Sequence, residues 1–85
     1  MDKTKLNDYS KRIWQESVNV FTDLEHLRLA ILNIKISVAK IDSGEHRALA
    51  TVADYLSDSI DSIEAKTGRI RDLSKHIGRE INQSE

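Results

Sequence analysis

The chain has 85 residues, no cysteine, no proline, three glycines and a formal net charge of −1, so it holds one domain and cannot use disulfides, a thiolate nucleophile or cysteine-ligated metal. With 39% hydrophobic and 32% charged residues, it folds around a thin core that leaves little room for an enclosed active site. No apolar run reaches the length of a signal-peptide core or a membrane span, and the expectation is a single cytoplasmic domain over residues 1–85 with no membrane association.

Helix one is expected over residues 5–41. From Leu6 through Ile13, Val20, Leu24, Leu27, Ile31, Ile34, Val38 and Ile41, the later apolar steps alternate four and three residues, the spacing of a seam along one helical face. Ser10 and Ser17 occupy seam positions in the first half, so packing there is expected to be weaker than from Val20 onward. Tyr9, Trp14 and Phe21 lie beside the seam and widen it. Ile34, Ile36 and Val38 also alternate at period two, as a strand would, but no second stretch offers such a segment a partner.

Between residues 27 and 41 this helix carries a second apolar stripe. Leu29, Leu32 and Ile36 fall at i, i+3 and i+7 on a face roughly opposite the seam. A helix of about 37 residues is roughly 55 Å long, and one hairpin partner covers only one of its faces. The stripe is therefore expected to be the self-association surface of a homodimer, a four-helix bundle with helix one towards the centre, or the seat of a different protein. The alternative is a three-helix bundle in which the segment after Gly68 folds back over it.

Asp42-Ser43-Gly44 is the strongest turn signal in the middle of the chain, with Glu45 placed to join a capping interaction at the start of helix two. Helix two is expected over residues 45–81. Its apolar residues are Leu49, Val52, Leu56, Ile60, Ile63, Ile70, Leu73 or Ser74, Ile77 and Ile81. Val52, Leu56 and Ile60 make two consecutive steps of four, a local stutter that would interrupt a left-handed supercoil. Thr67-Gly68 is a weak point, since an interior glycine costs about 1 kcal/mol relative to alanine. The apolar pattern resumes in phase beyond it, which favours one continuous helix. The fold class is thus all-α: a long antiparallel hairpin.

Charge is unevenly placed. Residues 42–64 hold six acids against Arg47 alone, whereas Lys66, Arg69, Arg71, Lys75 and Arg79 follow. In an antiparallel hairpin the last group lies beside Lys3, Lys5, Lys11 and Arg12, making the open end basic. Arg69, Arg71, Lys75 and Arg79 are the candidates for a nucleic-acid contact, but near-neutral charge and scarce aromatic groups fit a solvated helix better. Asp54, Asp58 and Asp61 share one helical face at i, i+4 and i+7. Lacking a calcium-type loop or a Glu-x-x-His pattern, they suit a partner-facing acidic stripe rather than a metal site.

His26, His46 and His76 form no i, i+4 pair, and no phosphate loop, nucleophile elbow or catalytic constellation can be assembled. No metal, cofactor or catalytic residue is expected. Trp14 and Phe21, with the acidic stripe, are the expected partner-binding residues, because large aromatics anchor interfaces. The sequence reads as a non-enzymatic protein-interaction module acting by helix-face docking: a small adaptor, inhibitor or regulatory subunit of bacterial or phage type. A small nucleic-acid-associated regulator using the basic end is the second reading.

Overall fold

The structure is a computed structural model and describes residues 2–40 and 45–83. Its two helices, α1 (Lys3–Val38) and α2 (Glu45–Gln83), lie antiparallel as a hairpin rod of 66 × 16 × 15 Å. The expected turn, Asp42-Ser43-Gly44, and Ile41 lie outside the described residues. Among the described residues there is no strand, and the alternating Ile34, Ile36 and Val38 continue α1. Asp2 starts this helix: in extended conformation, its carboxylate accepts the Thr4 amide at 2.9 Å and satisfies one of the helix's unpaired donors.

α2 runs unbroken through Thr67 and Gly68, so the chain is a two-helix hairpin and not the three-helix alternative. Two local features fit a glycine inside a helix here. The Thr67 hydroxyl turns back to donate to the Ile63 carbonyl at 2.7 Å. A Cβ on Gly68 would meet the Phe21 ring at 3.9 Å, an ordinary contact, so the helix packing here does not itself require glycine.

Buried residues recur every seventh position in both helices. They are Ser10, Ser17, Leu24, Ile31 and Val38 in α1, and Ala53, Ile60, Thr67, Ser74 and Ile81 in α2. This strict period of seven is the mark of two helices wound about each other. Ser10 and Ser74 fix the register: the Ser10 hydroxyl donates to the Ser74 carbonyl at 2.6 Å, and the Ser74 hydroxyl returns a bond to the Ser10 carbonyl. Stepping seven residues from this pair, in opposite directions along the two helices, sets Ser17 opposite Thr67, Leu24 opposite Ile60 and Ile31 opposite Ala53. Leu24, Ile31, Ala53 and Ile60 form the apolar core.

The seam therefore changes character along its length. Near the turn it is aliphatic; towards the open end it is built of Ser10, Ser17, Thr67 and Ser74, all nearly enclosed. These hydroxyls meet no unsatisfied neighbour, since Ser17 donates to the Trp14 carbonyl at 2.6 Å and the others are bonded as described. Small side chains also let the helices approach, and Gly78 passes Ser10 so closely that a Cβ there would lie 3.3 Å from its hydroxyl.

One sequence expectation changes at this seam, and one left open is decided. Val52 is 55% exposed and Ala53 only 1%; Leu73 is 61% exposed and Ser74 only 2%. Hydrophobicity favours Val52 over Ala53 and leaves Leu73 and Ser74 as alternatives; in both pairs the smaller residue occupies the seam. With Ala53 in place of Val52 the steps of α2 alternate four and three without interruption, and the expected stutter is absent.

Candidate functional site

At 100° per residue, the row three residues beyond each buried position lies about 60° to one side of the seam, and the row four beyond lies about 40° to the other. In an antiparallel pair, corresponding rows of the two helices meet on the same side. The hairpin thus has two long faces, and they differ in chemistry.

One face is closed by contacts within the chain. Its α1 row contains Trp14, Phe21, Arg28 and Lys35. Arg71 of α2 lies over the Phe21 ring, 5.1 Å from its centroid. Arg28 bridges Asp61 at 2.8 Å and Glu64 at 2.9 Å, and Lys35 reaches Asp54 at 3.2 Å. The hydrogen bonds that Arg28 donates to Asp61 and then to Glu64 hold the pKa of its guanidinium above the ordinary value. All these groups are substantially solvated, so the bridges fix helix register more than they add strength.

The other face is open and aliphatic. Leu6, Ile13, Val20, Leu27 and Ile34 line it from α1, and Leu49, Leu56, Ile63, Ile70 and Ile77 from α2. Both rows keep the seven-residue period, and together they make a groove along the rod. Apart from the half-buried Leu6 and Val20, every one of these residues is exposed, up to 50% at Leu27. The groove deepens into a concavity of about 560 Å³ above Ser17 and Thr67, walled by Ile13, Val20 and Ile70, with Tyr9 and Glu16 on its rim. Small seam residues leave that hollow because they do not fill the space between the aliphatic rows.

The residues singled out from the sequence are distributed around this frame. Trp14 and Phe21 belong to the closed face; Phe21 is half-buried against Arg71, and Trp14, 39% exposed, flanks a shallow hollow with Lys11, Lys75 and Gly78. Asp54 and Asp61 are engaged by Lys35 and Arg28, while Asp58 is exposed on the same stripe. Leu29, Leu32 and Ile36 are all about half-exposed, on the outer side of α1 beyond the closed face. Of the basic residues, Arg71 is held between Phe21 and Asp72, and Arg69 lies beside Asp72 and His76 in a separate outer hollow.

No family model, curated protein or solved structure matches the chain. Its chemistry must be read from its own surfaces. Among the described residues no group of three or more His, Asp or Glu is placed to hold a metal ion, and no helix is long and apolar enough to cross a membrane.

The groove itself was only half visible in the sequence. All its residues were counted, but as one seam together with the buried row. The missed signal is that each helix carries two heptad rows at once, and a single antiparallel partner covers one of them.

Proposed function

We propose that this protein is a non-enzymatic interaction module that works by helix-face docking, and that the aliphatic groove is its docking face. The observation that carries this reading is the contrast between ten regularly spaced Leu, Ile and Val residues, eight of them exposed, and an opposite face bridged by ion pairs and a cation–π contact. A contiguous aliphatic surface of this extent costs solubility unless something covers it. A regular period of seven selects another helix as the cover, since knobs from a helix of the same period fit the holes between the rows.

On this reading Trp14, Phe21 and the acidic stripe are structural clamps first, and Leu29, Leu32 and Ile36 form a lesser patch on one helix. The role suits a small adaptor, inhibitor or regulatory subunit. It is tested by placing a photo-crosslinking side chain at Ile70 in the groove, at Leu32 on the outer stripe and at Asp58 on the acidic stripe. Covalent protein adducts are expected at Ile70 in large excess over the other two; adducts formed only from Leu32 or Asp58 would contradict the assignment.

A further inference from the structure

Resting on the groove as the docking face, we infer that its occupant is the groove of a second copy of this chain, packed with both hairpin turns at the same end of a four-helix bundle. Three observations lead there: the area, the period and the residues on the two rims.

With on the order of 80 Å² of aliphatic surface open on most of the ten residues, two facing grooves remove roughly 1,400 Å² from water, the size of a stable interface. The period then restricts the partner. Both rows repeat every seven residues over the full length of the rod, and the copy itself presents a surface with that repeat, that length and that pair of rows.

The rims decide the orientation. Six residues beyond each buried position, α1 places Tyr9, Glu16, Asp23 and Ala30 along the outer edge of the groove. α2 places Glu45, Val52, Ser59, Lys66, Leu73 and Glu80 along the other edge. When the two-fold axis runs along the rod, α1 of one copy lies antiparallel to α2 of the other, and the register set by Ser10 and Ser74 carries over. Tyr9 then meets the partner's Leu73, Glu16 the partner's Lys66 and Ala30 the partner's Val52, each pair within about 3 Å of the same level at 1.5 Å per residue. Apolar groups face apolar groups, the one basic residue of the rim faces an acid, and like charges come level only at the open end, where Glu80 lies near the partner's Asp2, the N-cap of α1.

This arrangement also accounts for Val52 and Leu73, which are 55% and 61% exposed in the single chain. They stand in the rim because they pack on the second copy, which is why their sequence spacing resembles a seam. Turning the copy end over end instead sets α1 against α1 of the partner. Glu16 then approaches the partner's Asp23, and Tyr9 meets the partner's Ala30, so like charges face each other across the interface.

The two orientations give opposite signs for one substitution. Light scattering on the full chain over a dilution series should first return twice 9.7 kDa. Lys66→Glu and Glu16→Lys, both on exposed rim positions, should each raise the dimer dissociation constant by roughly tenfold, since two symmetric pairs turn repulsive. The double variant should recover affinity close to that of the starting protein. Circular dichroism on the same samples checks that each variant keeps its helices. A monomer at every concentration would overturn the second copy as occupant while leaving the groove available to another protein, and tighter association of Glu16→Lys would overturn the orientation. Photo-crosslinking from Ile70 that yields a dimer of this chain supports the inference, and adducts with other proteins alone contradict it.

Discussion

The two long faces of the hairpin are built on the same scaffold and the same heptad register, yet they solve opposite problems. On the closed face, Phe21, Arg28 and Lys35 reach across the seam to Arg71, Asp61, Glu64 and Asp54 and satisfy one another within the chain. On the open face the equivalent positions are all aliphatic, and apart from the half-buried Leu6 and Val20 they are exposed. Charged groups at a helix pair's edge are well solvated, whereas a contiguous aliphatic row there exposes surface whose burial would be stabilising. The difference teaches that a face can be assigned to the chain itself or to a partner by asking whether its side chains already have what their chemistry requires.

The seam between the faces supports both, and breaking it should have the largest effect. Leu24 is 3% exposed in the centre of the apolar cluster. Leu24→Ala is expected to cost about 2–5 kcal/mol, read as a lowered denaturant midpoint by circular dichroism, because it empties the centre of the apolar cluster between the two helices. An unchanged midpoint would mean that the helices are held together elsewhere. Weakening the closed face should do much less. Arg28→Gln removes both bridges to Asp61 and Glu64, and the expected result is a small drop in thermal midpoint that shrinks further in high salt, since the groups are solvated.

How much of this was legible beforehand follows from the same contrast. The absence of proline and the four–three spacing were enough for two long helices and a hairpin, because both signals are local and nothing in the chain competes with them. The choice between Val52 and Ala53, and between Leu73 and Ser74, was not legible. It depends on the register of the two helices, which the serine pair at 10 and 74 fixes through residues that hydrophobicity ranks low. The candidate site was partly legible for a related reason. Leu29, Leu32 and Ile36 drew attention as a stripe outside the seam, but the larger unpartnered surface was hidden inside the seam's own spacing. Periodicity counts apolar rows; only the crossing geometry of the second helix tells which row is already covered. Likewise Asp54 and Asp61 looked available until Lys35 and Arg28 were found beside them.

The most direct test of the groove as the association face is a comparison of native masses for two single substitutions of the same kind. Ile63→Glu places a charge in the groove and Leu32→Glu places one on the outer stripe, at residues of similar exposure. The expected result is a mass of one chain for Ile63→Glu and of two chains for Leu32→Glu, with both still helical. Dissociation by Leu32→Glu with an intact dimer for Ile63→Glu would contradict it and move the interface to Leu29, Leu32 and Ile36.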